Sequence, residues 1–193
     1  MATGTPLEPI RVTPWGDEPL YEVVNGQRVE LPPMGAYPTE VASSLTVTLG
    51  AYASQNGLGK VVGEMLFLID RETGLQRRPD VAFIGPGRWP IRKPAPYTAA
   101  WDVVPNLAIE VVSPSDRAQE LMDKIQEFFR AGVEVVWVVY PTHRMVHIYE
   151  SLTQIKVLTL ADTLDGGALL PGFQLPLAKL FEEEPADDAP PTA

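Results

Sequence analysis

Apolar and polar positions along this chain recur at two periods, about two residues and about 3.6, and the switches between them divide it into elements. In LYEVVNGQRVEL, Asn25-Gly26 separates two strand-like stretches, a strong hairpin signal, and Pro32-Pro33 close the unit. In TEVASSLTVTLGAYASQNG, Val41, Leu45, Leu49 and Tyr52 share one helical face. Thr39 is suited to cap that helix and Asn56-Gly57 to stop it. Lys60 to Asp70 reads as a strand, Arg71 to Gly74 as a turn, and Gln76 to Ile84 as a second strand partner. Gly85 to Pro105 is full of proline and reads as a long loop. Leu107 to Val112 is a strand, and Ser115 to Arg130 a helix capped at Ser113 or Ser115 and ended by Gly132. Val133 to Tyr140 is almost continuously apolar, the mark of a central strand. His143 to Glu150 pairs with it across Pro141-Thr142, Lys156 to Leu160 adds a strand, and Leu177 to Phe181 a short helix.

Leu107 to Tyr140 is therefore a strand–helix–strand crossover. The expected fold class is α/β, of the α+β kind, with a mixed sheet flanked by helices. One domain spans residues 19–181. Residues 1–18 read as a flexible arm rich in Pro and Gly, and residues 182–193 as an acidic, disordered tail.

One residue breaks the pattern. Glu110 interrupts the apolar run AIEVV, and an unpaired buried carboxylate is costly. It must lie at a strand end, be paired, or meet something positive. Asp80 follows Pro79 in QRRPDVAFI, and Lys124 lies on the helix after the Glu110 strand. Glu40 stands near the start of the first helix and Glu64 in the strand before Asp80. Two carboxylates at the ends of adjacent strands suit a hard divalent cation such as magnesium, which takes oxygen ligands and keeps several waters. A nearby lysine can stabilise a phosphate or orient an attacking water, giving metal-assisted phosphodiester hydrolysis. Each piece alone has a plainer reading: Pro-Asp as a turn, Glu110 as a rim residue, Lys124 as a solvated charge beside Asp123 and Glu127. Their order is what carries weight.

Composition narrows the field. Hydrophobic residues are 45% and charged residues 21%, as in soluble globular proteins. There is no cysteine, so neither a disulfide framework nor a thiolate metal site is available. The two histidines, His143 and His147, share one side of a strand and suit the sheet better than a zinc centre. No apolar run approaches the roughly 18 residues of a membrane span, and no signal-peptide pattern opens the chain, so a cytoplasmic protein without membrane contact is expected. The formal charge of −10 argues weakly against a nucleic-acid coat. The tail carries five of the acids, which leaves 15 basic against 20 acidic residues elsewhere. Arg77, Arg78, Arg88, Arg92 and Lys93 surround Asp80 in sequence, either as a solvated loop or as a phosphate-steering rim. Trp137 belongs to the core, while Trp89 and Trp101 flank a loop that could touch substrate. Ser113-Pro114-Ser115 is strand exit and helix cap, with no histidine near it in a triad pattern.

This order resembles the PD-(D/E)XK nuclease superfamily, and more closely the Uma-two family of restriction-endonuclease-type proteins. The matching pieces are YEVVNGQRVELPP, GLGKVVGEMLFLID, RRPDVAFI, PNLAIEVVSPSD, DKIQEFFRAGVEVVWVVYP and LPGFQLPLAKLF, and the resemblance spans roughly residues 20–181. The resemblance implies a restriction-endonuclease-like core that binds Mg2+ or Mn2+ and hydrolyses DNA. It implies Asp80 and Glu110 as metal ligands with the Val111 carbonyl, Glu40 as an assisting acid, and Lys124 as the catalytic lysine. It makes a homodimer the expected assembly, since cutting two strands takes two sites, and within the basic cluster around Asp80 the candidates for substrate contact are Arg77, Arg78 and Arg88. Three positions depart from the family pattern. Val112 occupies the usual lysine position, so the lysine has moved to Lys124, whose flexible stem can reach the same point. Glu40 stands where relatives carry histidine, and Phe128 where they carry tyrosine. The rival readings are a nuclease fold that has lost its chemistry and keeps a binding or structural role, and a different hydrolase using the same two acids or an RNA-directed nuclease.

Overall fold

Two apolar runs that read as single strands are each cut in two, and the cuts organise the molecule. The computed structural model describes residues 19–114 and 116–181. The expectations for the arm, the tail and a Ser115 cap lie outside them. Within Lys60 to Asp70, β3 (Lys60–Gly63) and β4 (Phe67–Asp70) are separate, because Glu64 turns the backbone at φ 48°. Within Gln76 to Ile84, β5 (Leu75–Arg77) and β6 (Val81–Ile84) part at Arg78-Pro79-Asp80, where Pro79 has no N–H for a ladder. β4 and β5 pair in a four-stranded sheet completed by the hairpin at residues 21–30, while β3 and β6 pair in a six-stranded sheet. Both breaks meet, with the Glu64 amide donating to the Asp80 carbonyl at 3.0 Å.

The hairpin of β1 (Tyr21–Val24) and β2 (Gln27–Glu30) turns at Asn25 and Gly26, φ 53° and 73°, the two positive angles of a type I′ turn. The six-stranded sheet runs β10-β9-β8-β7-β6-β3. Its β7 (Leu107–Val111) and β8 (Val135–Tyr140) are parallel, and every other pairing in it is antiparallel, the expected mixed sheet. β9 (Met145–Ser151) and β10 (Gln154–Leu158) complete one edge.

Alternation along the central strands builds two cores. Leu107, Ile109 and Val111 face α1 (Ala36–Gln55), packing with Val41, Leu45 and Leu49. Ala108, with Val136 and Val138, faces α2 (Ala118–Ala131), packing with Ile125 and Phe128. A short hairpin of β11 (Thr163–Asp165) and β12 (Gln174–Pro176), followed by α3 (Leu177–Leu180), closes the α1 side; that hairpin carries too few residues for its alternation to stand out.

Both long helices differ from expectation at their starts. α1 begins at Ala36 with Gly35 as its N-cap, and Thr39 Oγ1 donates to the Gly35 carbonyl at 2.9 Å instead of accepting a free amide. α2 begins at Ala118 with no side-chain cap. It ends as expected at Gly132, whose φ of 97° is left-handed. Trp101 is 1% exposed and stacked on Phe67, with Trp89 against its edge, so it is core and not a substrate contact.

Candidate active site

Glu110 lies in the middle of the sheet, paired in register with Val138 on β8, and its side chain leaves on the face that α2 covers. Lys124 comes from α2 to meet it, with Nζ 3.2 Å from Glu110 Oε2. A second carboxylate reaches the same ammonium: Glu22 of β1, whose Oε1 is also 3.2 Å away. Glu22 Oε1 accepts the Arg78 amide at 2.9 Å, and its Oε2 pairs with the Arg77 guanidinium at 2.5 Å. Arg77 continues to Glu127 on α2, its Nε donating to Oε2 at 2.6 Å. Charges thus alternate through Glu110, Lys124, Glu22, Arg77 and Glu127.

Asp80 joins from β6. The β6–β7 ladder runs out at Val81 and Ile109, which leaves Asp80 at the next position, opposite Glu110. Its Oδ2 replaces the ladder by accepting the Val111 amide at 2.6 Å. The N–H and C=O of one strand residue leave on the same side, so the Val111 carbonyl is aimed at the same gap, where Pro79 has no N–H to offer. Glu110 Oε1 is buried and has no hydrogen-bond partner among the described residues. Such an orphaned oxygen in a buried site calls for an explanation. Asp80, Glu110 and the Val111 carbonyl supply hard oxygen donors, which fit a magnesium-type ion. Among the described residues no group of three or more His, Cys, Asp or Glu is placed to hold a metal ion.

Burial pushes the Asp80 carboxyl up to about 6, against the opposing pull of the Val111 amide and Lys124. Burial likewise pushes Glu110 up to about 8; Lys124 opposes this, and Asp80 and Glu22 add to it. Burial alone would lower Lys124, but Glu110, Glu22 and Asp80 outweigh it and hold the ammonium above its ordinary value. A carboxyl that favours a proton and an ammonium that favours its charge sit uneasily at 3.2 Å. Burial dominates at Glu110, where Asp80 and Glu22 add to the upward push and Lys124 opposes it.

The remaining expected residues divide clearly. Val112 follows Glu110 by two, shares its face, and packs in the α2-side core, so a lysine there and Lys124 would address the same side. Phe128 is fully buried in that core, where no hydroxyl is needed. Arg77 is 8% exposed and locked between two glutamates, not on a rim. Arg88 binds the carbonyls of Val104, Pro105 and Gly132 and the Glu134 carboxylate, beyond the opposite end of β6. Arg78 does lie beside the centre, donating to the carbonyls of Tyr21 and Glu64. Glu40 is exposed and does not line the cavity of about 380 Å³ beside Asp80; α1 contributes Thr39, Ser43, Thr46 and Val47 to that wall. Glu64 lines the cavity with Asp80. A larger cavity, about 640 Å³, lies between the β4–β5 turn and the end of α2 and includes none of Asp80, Glu110 and Lys124. Glu22 is the residue that sequence reasoning passed over, although YEVV carries the same signal as IEVV: a glutamate inside an apolar strand.

No curated protein matches the chain. The crystal structure of "a putative nuclease belonging to DUF820" from Anabaena variabilis ATCC 29413 superimposes with a TM-score of 0.73 at 15% identity, covering 83% of this chain and 89% of that one. At that identity the likeness speaks for the fold, which is restriction-endonuclease-like. The model of the Uma2 family, described as "Putative restriction endonuclease", matches residues 11–178. With Asp80, Glu110 and Lys124 all inside that match, this chain belongs to the Uma2 family.

Proposed function

We propose that this protein is a magnesium- or manganese-dependent endonuclease that hydrolyses phosphodiester bonds in DNA. The observation that carries the reading is the buried, partnerless Oε1 of Glu110 beside Asp80 and Lys124. Asp80 and Glu110 would hold the cation, with the Val111 carbonyl as a main-chain ligand. A bound divalent ion supplies Lewis acidity toward the phosphate and a more acidic water. Lys124 presents its ammonium to a phosphate oxygen or to the attacking water, and its partners keep it charged at neutral pH. Arg78 is the arginine suited to the rim: its guanidinium has five N–H donors, and its bonds to the Tyr21 and Glu64 carbonyls use Nε and one on NH1. The bonds of Arg77 and Arg88 to the protein itself speak for structural work. Glu40, outside the cavity wall, would reach an ion only through water. A homodimer would bring two such centres to the two strands.

The test is cleavage of supercoiled plasmid and of single- and double-stranded DNA and RNA with Mg2+ or Mn2+, comparing the wild type with Asp80→Ala. Metal-dependent cutting of DNA that Asp80→Ala abolishes supports the reading. Preferential cutting of RNA redirects it, and inactivity on every substrate favours a fold retained for binding. Sedimentation of the active protein measures the dimer.

A further inference from the structure

We propose that Glu22 is the positioning residue for Lys124, so that the small sheet completes the catalytic centre through β1; the role rests on the nuclease reading above. A lysine at position 112 would be fixed by the strand that carries Glu110. Lys124 instead arrives from α2 on a flexible four-carbon stem, which a single contact leaves free to swing. Two anchors hold it here: Glu110 Oε2 and Glu22 Oε1, each 3.2 Å from Nζ.

Glu22 is itself held rigidly. It is 1% exposed, its Oε1 accepts the Arg78 amide, and its Oε2 pairs with Arg77. Arg77 is gripped from the other side by Glu127, which stands three residues after Lys124 on the same helix. The contacts therefore close a ring: from α2 through Lys124, Glu22, Arg77 and Glu127 back to α2. A ring of this kind fixes Nζ against both its own helix and β1. Both oxygens of Glu22 already have partners, so it has no free oxygen comparable to Glu110 Oε1. Its part is to hold the ammonium when Glu110 engages another partner.

The test needs one readout independent of activity. Nitrogen-15 NMR of the lysine ammonium groups, with Lys124→Arg to assign the signal, reports whether Nζ is held. The wild type is expected to show a slowly exchanging Lys124 resonance. In Glu22→Gln that resonance is lost, kcat falls about 100-fold, as for a misplaced catalytic group, and KM and manganese affinity stay within about threefold. Glu127→Gln, which loosens the ring but leaves the Glu22 charge, retains the resonance although it melts earlier. Should Glu22→Gln not fold, Glu22→Asp, one carbon too short to span Arg77 and Lys124, is read the same way, with partial loss in both measurements expected. An unchanged resonance and unchanged kcat in a folded Glu22 variant overturn the proposal and leave the nuclease reading intact. A wild type that cuts no nucleic acid, while Glu22→Gln still loses the resonance, overturns the nuclease reading and supports the anchoring alone.

Discussion

Glu22 and Glu110 are near copies in sequence and opposites in structure. Each sits in an apolar strand, each is followed by Val-Val, and each is buried, at 1% and 6% exposure. Each touches Lys124 at the same distance. Yet both oxygens of Glu22 are bonded, while Oε1 of Glu110 meets nothing. Burial of a carboxylate alone therefore does not mark a functional group. What distinguishes the two is the unsatisfied oxygen of Glu110, because a saturated buried acid has its compensation in hand and an unsaturated one does not.

The largest effect that separates them is on chemistry. Glu110→Gln is expected to lower cleavage by about 10³-fold or more, the scale of several kcal/mol of lost metal-assisted stabilisation. Initial rates on plasmid at saturating manganese measure it. Activity within tenfold of the wild type would remove Glu110 from the centre.

Stability should run the other way. Removing the Glu22 carboxylate leaves Arg77 and Lys124 short of a buried partner, so Glu22→Ala is expected to cost about 3–5 kcal/mol. Glu110→Gln removes a charge that burial already disfavours, and is expected to change metal-free stability by about 1 kcal/mol or less. Urea unfolding in the presence of a chelator compares the two. Equal losses would mean that Glu110 is as structural as Glu22.

Proton linkage gives the next contrast. Asp80 and Glu110 have folded-state values raised to about 6 and about 8, so each contributes stability that is full below its unfolded value and lost as pH rises through its folded value. The metal-free protein should therefore lose stability from about pH 4 toward 8, and the slope between pH 6 and 8 should flatten in Glu110→Gln. Manganese competes with those protons, so its affinity should rise over the same window. Melting temperatures at pH 5, 6, 7 and 8, with and without manganese, check both signs. The smallest effect is expected at the rim: Arg78→Gln should raise KM several-fold and reduce the salt sensitivity of binding, with kcat little changed.

The same pair shows what sequence reveals. That Asp80, Glu110 and Lys124 come together was legible because a Pro-Asp step, a charge inside an apolar strand and a lysine on the next helix are local signals. Glu22 carries the same signal, but the four-residue strand Tyr21–Val24 beside the Asn25-Gly26 turn is too short for a charge within it to stand out. Arg77 ends β5 with its side chain turned inward to Glu22, while Arg78 lies in the break that follows and donates to the carbonyls of Tyr21 and Glu64. Helix phase explains Glu40: Thr39, Ser43 and Thr46 reach the cavity beside Asp80, and Glu40 lies off that line. The splitting of both long strands was hidden because each half keeps its alternation. The break depends on a glutamate at positive φ and on Pro79, and only the assembled sheets show that they coincide.

The central claim is that Glu110 is unsaturated for a cation and Glu22 is not. Calorimetric titration of manganese into the wild type, Glu110→Gln and Glu22→Gln tests it most directly. The expected result is binding by the wild type, loss of binding in Glu110→Gln, and affinity within about threefold of the wild type in a folded Glu22→Gln. Binding that survives in Glu110→Gln, or that disappears equally in both variants while both stay folded, would contradict it.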